Sequence, residues 1–225
     1  MSYTSSETVF LRRIRNALGG RRGRPELPVA PESIDARDGD LAARFATALE
    51  AVGGRFAKIE SRTMLQQYVH ELISSRGIRS AAISNASIVE NLRIADWLEQ
   101  EVETVVRPTE NGSTSFREFA RNVSQVDLGV TGCQVAVADT GTVILTNAER
   151  NRLISLLPAI HVVVFTPSQL VGGMGEALRR ARADIDLSIM TLITGPSRTG
   201  DIEMTLTAGV HGPREIHALL IEDLV

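Results

Sequence analysis

Apolar segments of strand length alternate with amphipathic segments of helix length from about residue 38 onward, and no other feature constrains the fold as much. A predicted helix over 39–52 precedes a predicted strand at 55–59, and a helix over 63–75 precedes a strand at 80–84. Short connections between such elements are typical of strand–helix–strand units. The pattern predicts an α/β fold with a mainly parallel sheet flanked by helices.

The rest of the chain continues this pattern. Serine and glutamate three residues apart predict two helix starts of the capping-box type, at Ser87 with Glu90 (for a helix that runs to Gln100) and at Ser115 with Glu118. The segments 160–165 and 187–194 are apolar enough to predict strands buried on both faces. Further strands are predicted at 103–106, 126–130, 134–138, 142–146 and 216–221, and further helices at 149–156 and 175–183.

The first 33 residues differ in character from the rest. A helix with a capping box at Thr4–Glu7 is predicted to end at Gly19-Gly20, and prolines at 25, 28 and 31 predict an extended linker. The sequence therefore predicts an N-terminal helix and linker over 1–33 and an α/β domain over 34–225. Six arginines and one acidic residue among positions 1–24 are compatible with contact to a membrane, a nucleic acid or a partner. A helix docked on its own domain or on a neighbouring subunit is favoured, because six charges bind phosphate only weakly at physiological salt.

A single cysteine, Cys133, limits the chemistry available to the chain. An iron–sulfur cluster needs about four ligands, mostly thiolates, so this chain is not expected to hold one. The cysteine count also excludes internal disulfides and favours a reducing compartment. Spacings such as HExxH or CxxC are missing from the sequence, which predicts no bound metal and no cofactor.

The charge and hydropathy of the chain exclude other classes. A net charge of −3 gives no strong field for nucleic acid, and no uninterrupted apolar run approaches the 18 residues or so of a membrane helix. We therefore expect a cytoplasmic protein without membrane insertion and without a specific nucleic-acid partner. Lys58 is the only lysine, which makes Schiff-base chemistry unfavourable.

The segment Thr194–Glu203 carries the strongest candidate for a ligand site. It follows a predicted strand and is predicted to enter a short helix, where open α/β sheets bind ligands. Gly195 and Gly200 would let backbone amides approach an anion, and Arg198 would add a planar guanidinium. An ordinary turn with a capped helix is an equal alternative. The other candidates in this segment are Ser197, Thr199, Asp201 and Glu203.

Two glycine-containing turns supply the remaining candidates. The segment Asp139–Thr142 predicts a three-residue hairpin loop with Gly141 in the left-handed region, and alternatively places the Thr140 and Thr142 hydroxyls at the mouth of a pocket. Among the four histidines, His211 is the best placed for a proton or ligand role, although a turn histidine bonded to backbone is the commoner case. Three further residues are predicted to be parts of the core: Cys133, His161 and His217.

Four motifs follow one another in the second half of the chain, at Val135–Thr142, Leu157–His161, Gly195–Glu203 and Gly209–Pro213. In order and composition they resemble the signatures of the LutC (also YkgG) family, which carries the LUD domain. The sequence departs from that pattern at Asp139, where the family usually has glutamate, and at Gly200, where alanine is common.

The resemblance implies a fold similar to the sugar-phosphate isomerase and CoA-transferase group (NagB/RpiA-like). It also implies an accessory role in the oxidation of L-lactate to pyruvate, beside separate iron–sulfur partner proteins (LutA- and LutB-like). The alternative is an independent enzyme or binder of the same fold that holds a small anion, such as an acyl-CoA, a sugar phosphate or a carboxylate, through Arg198. A third hypothesis is a scaffold whose arginine-rich N-terminus binds a partner or nucleic acid. No catalytic base is assigned, and whether the chain is an enzyme stays open.

Overall fold

The computed structural model describes residues 4–17, 40–108, 115–146, 149–182, 189–200, 206–208 and 212–222. Its helices are α1 Thr4–Ala17, α2 Leu41–Ala51, α3 Arg62–Arg76, α4 Ser87–Asn91, α5 Ile94–Glu101, α6 Phe116–Val123, α7 Glu149–Leu156 and α8 Met174–Arg182. Its strands are β1 Arg55–Ile59, β2 Ser80–Ile83, β3 Thr104–Val106, β4 Leu128–Gly132, β5 Val135–Val137, β6 Thr142–Thr146, β7 Ile160–Phe165, β8 Leu170–Val171, β9 Met190–Ile193, β10 Arg198–Gly200, β11 Leu206–Ala208 and β12 Glu215–Ile221. Helix α1 belongs to a separate compact unit and is described by itself. Within these ranges, no helix has the length and apolar character of a membrane span.

Six strands form one parallel sheet in the order β1-β12-β7-β4-β2-β3. This confirms the predicted α/β fold with a mainly parallel sheet flanked by helices. Strand β7 lies near the middle and is buried along its whole length, as predicted for 160–165. Because all six strands run the same way, their carboxyl ends lie along one edge, where ligand sites of open α/β sheets form.

Alternate residues of the sheet bury its two faces against different helices. Val163 and Phe165 of β7 pack in a cluster with Phe45 and Leu49 of α2. Val162 and Val164 point the other way, into a second cluster that includes apolar residues of α3, α4 and α5. At β2, Ala82 packs against residues of α6 and α7. Helices therefore cover both faces of the sheet.

A second sheet of four strands, in the order β8-β5-β6-β9, forms from the second half of the chain. Strands β5 and β6 form the predicted hairpin, and its Gly141 has the expected left-handed backbone (φ 62°), although four residues rather than three connect the strands. Some apolar residues of this sheet, such as Ala136 and Val143, belong to the same cluster as Phe45 of α2. Val135, Val137 and Ile144 form a separate cluster with two alanines of α8, Ala177 and Ala181.

The helix predicted from Ser87 to Gln100 is two helices, α4 and α5. Arg93 separates them in a left-handed conformation with φ 51°. Leu92 and Ile94 are both 2% exposed. In one continuous helix, residues two positions apart point to nearly opposite sides, so the break lets both enter the core. The predicted capping box at Ser87 is wrong, since Ala86 is the N-cap and no side chain caps this helix. At α6 the Ser115 hydroxyl does accept a hydrogen bond from the Glu118 amide.

Two predictions for the region 187–203 are also wrong. The strand predicted as buried is β9, which pairs only with β6 among the described strands, and its Leu192 is 47% exposed. The short helix predicted after Pro196 is strand β10, which pairs antiparallel with β11. The backbone groups of β10 pair with those of β11 instead of forming a helix start. Threonine, which occurs in both strands, favours the strand conformation.

Candidate functional site

A cleft of about 390 Å³ lies at the carboxyl ends of the central parallel strands. Three loops form most of its wall: one follows β2, one follows β4 and one follows β7. The end of β6 contributes a fourth side. The lining residues are Ser84, Asn85, Ala86, Ser87, Ile88, Asn91, Thr131, Gly132, Cys133, Gln134, Leu145, Thr146, Thr166, Ser168 and Gln169. Its volume falls in the range of about 300–1,000 Å³ that is common for small-molecule sites.

The wall beside β2 depends on a close approach between α4 and the end of β4. A Cβ atom at Gly132 would lie 2.9 Å from both Ala86 Cβ and Ile88 Cγ2. Glycine at this position therefore allows the start of α4 to lie against β4. The amide of Ser84 donates to Val130 O at 2.9 Å, which extends the pairing of β2 and β4 to the cleft itself.

The opposite wall is held by the side chain of Gln169. Its Oε1 accepts from the Thr166 amide at 2.8 Å, and its Nε2 donates to the carbonyl of Cys133. The bond to Cys133 connects the loop after β7 to the loop after β4. The bond from the Thr166 amide is part of a capping box over the short turn Pro167–Gln169, so the sequence Thr166-Pro-Ser-Gln builds this wall through local backbone bonding.

The described residues of the lining are polar and uncharged. Hydroxyl and amide side chains dominate, and none of the lining residues that the structure describes is Asp, Glu, Lys, Arg or His. Burial raises the pKa of the Cys133 thiol, so it stays protonated near neutral pH and is a poor nucleophile. The site can orient a ligand through hydrogen bonds. It offers no pair of groups for acid–base catalysis among these residues.

Thr131, which lines the cleft, shares a 2.8 Å hydrogen bond between its Oγ1 and His161 Nε2. His161 is fully buried, and its Nδ1 has no hydrogen-bond partner in the part of the chain that the structure describes. Burial, with repulsion from nearby His217 as a smaller cause, lowers the pKa of His161 to about 3. The imidazole is therefore neutral near pH 7. His217 is buried too, sharing a 2.8 Å bond between its Nδ1 and the Tyr68 hydroxyl, so the structure agrees with core positions for both histidines.

The residues predicted from the hairpin motif gather around the end of α2. A Cβ at Gly141 would lie 2.3 Å from the backbone nitrogen of Leu49, and one at Gly195 would lie 2.6 Å from Val52 Cγ2. Thr142 Oγ1 shares hydrogen bonds with Thr140 Oγ1 at 2.7 Å and with Thr194 Oγ1 at 2.6 Å. We call residues 139–142, 194 and 195, with the end of α2, the hairpin cluster.

Asp139 links the hairpin cluster to α2 by an ion pair. Its carboxylate forms an ion pair with Arg44 of α2, and both side chains are partly exposed. The Asp139 amide donates to Gly172 O at 3.0 Å. A Cβ at Gly173 would lie 3.5 Å from Asp139 Oδ2. The hairpin is thus bonded both to α2 and to the loop before α8.

Ser197 and Arg198 lie near other motif residues but outside the cleft lining. The Ser197 amide donates to Pro213 O at 2.8 Å, which brings the third and fourth motifs together. Ser197 also lines a small cavity of about 160 Å³ with Gly195. The guanidinium of Arg198 lies beside Gly53, where a Cβ would be 2.5 Å from one of its nitrogens. Thr199 is described by its backbone alone, in β10, and Asp201, Glu203 and His211 lie outside the described residues.

A LUD domain family model matches residues 42–221, which is most of the chain. The chain belongs to the LUD domain family. Its curated relatives include "Lactate utilization protein C" of Anoxybacillus flavithermus, which is 29% identical and matched over 71% of this chain and 70% of the relative. A protein of the same name from Shouchella clausii is 28% identical over 95% of this chain and 96% of its own.

Two further comparisons involve proteins without a stated activity. The protein YkgG of Escherichia coli, described as uncharacterized, is 34% identical over 68% of this LUD domain chain and 67% of its own. The crystal structure of a DUF162 family protein from Deinococcus radiodurans covers 72% of this chain and 99% of that one, with 22% identity and a TM-score of 0.39.

The cleft of this LUD domain was not predicted as a site. Its walls follow the strands predicted at 80–84, 126–130 and 160–165, so the rule that ligands bind beyond strand carboxyl ends applied to them equally. The polar residues Ser84, Asn85 and Thr166, which directly follow apolar strands, were the available signal. The ligand site was predicted at 194–203 instead, because that segment contains two glycines and an arginine.

Proposed function

We propose that this LUD domain protein is an accessory component of L-lactate utilisation, required for the oxidation of L-lactate to pyruvate but without a redox centre of its own. Two observations support this proposal. Relatives that match the chain over 70% or more of their length are named lactate utilization protein C. The chain has one cysteine, and it is buried with a raised thiol pKa, so the thiolates of an iron–sulfur cluster must come from other proteins.

The partners would be separate iron–sulfur proteins of the lactate-utilisation system. A genetic test uses a strain that lacks only the gene for this protein. We expect the strain to fail to grow on L-lactate as the sole carbon source and to grow normally on pyruvate. Normal growth on L-lactate would contradict the proposal. Loss of growth on both carbon sources would also contradict it, because the defect would then lie downstream of lactate oxidation.

A biochemical test separates the accessory role from an independent one. The purified chain, mixed with the iron–sulfur proteins, should raise lactate-dependent reduction of an electron acceptor, while the chain alone should give none. Cys133→Ser is the matched variant: if the chain supplies no redox centre, this substitution should leave the stimulation intact. Loss of stimulation in a correctly folded Cys133→Ser protein would count against the proposal.

We further propose the division predicted from sequence, in which residues 1–33 form an N-terminal helix and linker and residues 34–225 form the LUD domain. We add to it the proposal that the helix contacts a partner. Helix α1, considered by itself, exposes Val9, Phe10, Leu11 and Ile14 by 43–62%. An exposed apolar set of this kind is typical of an interaction surface. The double substitution of Phe10 and Ile14 by Asp should weaken co-purification with the iron–sulfur proteins, whereas Arg12→Gln should have less effect.

The alternative is an independent binder or enzyme for a small molecule, and the cleft at the strand ends favours it. The hypothesis based on sequence assigns an anion to Arg198. Arg198 lies on β10 beside Gly53 rather than in the cleft lining, so the two ideas can be tested separately. If Arg198 binds an anion, Arg198→Ala should weaken binding of acetyl-CoA or ribose 5-phosphate by about 10–200-fold, from a loss of about 1.5–3 kcal/mol. Unchanged thermal shifts would remove Arg198 from a ligand site.

A further inference from the structure

A groove of about 470 Å³ lies between α3 and α5, apart from the cleft at the strand ends. Its lining residues are Thr63, Gln66, Gln67 and His70 of α3 and Trp97, Gln100 and Glu101 of α5. All seven belong to the continuous described range 40–108. Except for Trp97, which is half-buried, these residues are exposed, so the groove is an open feature of the surface.

Trp97 is the aromatic part of this groove. Its indole packs against the core cluster beneath α3 and α5 and also lines the groove, so the core holds the ring in place. The face of an indole attracts a cation more strongly than the face of any other aromatic side chain. Tryptophan is also enriched among the residues that dominate binding energy in protein interfaces. A half-buried tryptophan in an open groove therefore favours a positively charged group of a partner.

A carboxylate lies next to this ring on the same helix. Glu101 follows Trp97 by one helical turn, so both side chains project from the same side of α5 and line the groove together. Glu101 Oε2 is 2.8 Å from Nδ1 of His70 on α3. An ionised carboxylate only accepts hydrogen bonds, so Nδ1 carries the proton of this bond, and a neutral imidazole keeps Nε2 as an acceptor. The pair thus contributes a negative charge and further acceptor atoms.

The glutamines of the groove add acceptors of their own. Gln67 donates from Nε2 to Glu71 Oε1 at 2.9 Å, and its carbonyl oxygen can still accept a hydrogen bond. The amide oxygens of Gln66 and Gln100 can accept as well. A guanidinium group has five N–H donors and no acceptor, and its plane stacks on aromatic rings. It therefore complements the carboxylate, the amide oxygens and the indole at the same time.

We propose that the groove between α3 and α5 docks an arginine side chain of a partner protein, with the guanidinium stacked on Trp97 and bonded to Glu101. The exposed lining supports a protein partner, because sites for free small molecules bury about 70–90% of the ligand surface. Met64, the residue after Thr63 on α3, is 43% exposed and adds apolar surface of a kind that is enriched at interfaces. The inference does not depend on the proposed role in lactate utilisation.

The test uses the fluorescence of Trp97, which is the only tryptophan in the chain. The full-length protein is titrated at constant ionic strength with the peptide acetyl-Gly-Arg-Gly-amide and with the same peptide containing citrulline, a neutral isostere of arginine. We expect the arginine peptide to change the Trp97 emission with a dissociation constant about tenfold lower than that of the citrulline peptide.

Two outcomes of this titration would overturn the proposal. Equal dissociation constants for the two peptides would mean that the groove does not recognise the positive charge. An emission that stays constant up to about 50 mM of the arginine peptide would mean that the guanidinium does not reach Trp97. Neither outcome bears on growth on L-lactate, so failure of this inference is distinguishable from failure of the proposed function.

Two charge-matched variants locate the binding. Glu101→Gln removes the carboxylate of the groove and should weaken binding of the arginine peptide about fivefold, with little change for the citrulline peptide. Glu103→Gln removes the same charge two residues further on, outside the described lining, and should leave both affinities unchanged. Both glutamates are exposed, so both variants are expected to fold. Equal weakening in the two variants would indicate a general effect of surface charge and would overturn the assignment to the groove.

Analytical ultracentrifugation tests whether a second copy of this chain supplies the arginine. We expect the wild type and Glu101→Gln to have the same molecular mass at equal concentration. A wild-type dimer that dissociates in Glu101→Gln would overturn the assignment to a separate partner protein.

Discussion

The cleft and the hairpin cluster lie in the same domain but use their polar groups differently. In the cleft, uncharged side chains line a cavity at the ends of three parallel strands. In the hairpin cluster, the threonine hydroxyls bond to one another and the Asp139 carboxylate pairs with Arg44. Glycines there lie against the backbone and side chains of α2. The motif residues of the hairpin cluster thus pack and bond within the protein. The residues that line the open cleft are serine, asparagine and glutamine outside any recognised motif.

The largest effect that we expect is on the pH dependence of the free energy of unfolding, through the buried His161. The pKa of His161 is lowered to about 3, mainly by burial, and unfolding returns it to about 6.5. The unfolded chain therefore binds more protons between these values, so the free energy of unfolding should fall by on the order of 4 kcal/mol as the pH decreases from 6.5 to 3. His217, whose pKa burial also lowers, acts in the same direction.

Urea denaturation at pH 7 and pH 5 measures the first part of this effect, about 2 kcal/mol. His161→Gln should flatten the pH dependence, because it removes the group whose pKa differs between the folded and the unfolded chain. Equal slopes for the wild type and His161→Gln would mean that His161 is not held neutral in the folded protein.

The second prediction tests the steric requirement in the hairpin cluster. Gly141→Ala would place a Cβ 2.3 Å from the backbone of Leu49 at a residue with φ 62°. Left-handed strain and overpacking together should lower the free energy of unfolding by about 3 kcal/mol. The control is Gly172→Ala, where a Cβ would have no atom within 4 Å and a change below about 1 kcal/mol is expected. Similar denaturation midpoints for both variants would contradict the close approach to α2.

A smaller effect is expected from the hydroxyl chain. Thr142→Val keeps the side-chain shape and removes the oxygen that bonds to both Thr140 and Thr194, so it should cost about 1 kcal/mol. Thr140→Val removes only the outer bond at an exposed residue and should cost less than about 0.5 kcal/mol. Thermal denaturation of the two variants measures the difference. Reversed ranking would indicate that the Thr142–Thr194 bond does not hold the hairpin.

The smallest effect is expected from the ion pair between Arg44 and Asp139. Because both side chains are partly exposed, at 29% and 43%, a double-mutant cycle with alanine should give a coupling energy of about 0.5 kcal/mol. The coupling should decrease further in 0.5 M salt. A salt-insensitive coupling above about 2 kcal/mol would indicate a dehydrated site at Asp139, and the contrast between the two regions would then have to be redrawn.

Most of the parallel sheet could be predicted because its strands are short apolar runs with an unambiguous pattern. Ile160–Phe165 and the helix Glu149–Leu156 have the predicted bounds. Predictions failed where local pattern and tertiary environment compete. The break at Arg93 depends on burial of both Leu92 and Ile94, and the strand at Arg198 depends on a partner strand at Leu206–Ala208. Neither the burial of these two residues nor the pairing of these two strands can be inferred from a short stretch of sequence.

The candidate site was less predictable than the fold. Residues with distinctive chemistry, such as Asp139, Gly141 and Arg198, were selected from sequence, and their role in ligand binding stays a prediction. The cleft residues carry no such signal, because serine, threonine and glutamine are common at loop starts and turns for local reasons. Gln169, for example, has the side-chain bonds of a capping box and also joins two walls of the cleft.

The sequence by itself determined the α/β class, the apolar runs of the sheet, the hairpin with its left-handed glycine and the lack of thiolates for a cluster. These properties depend on residue type and on short-range spacing. Only the tertiary structure decided that the segments after β2, β4 and β7 converge on one cleft. The physical reason is that strand order is set by hydrogen bonding and packing between residues far apart in the chain, so loops distant in sequence become neighbours only when the sheet has formed.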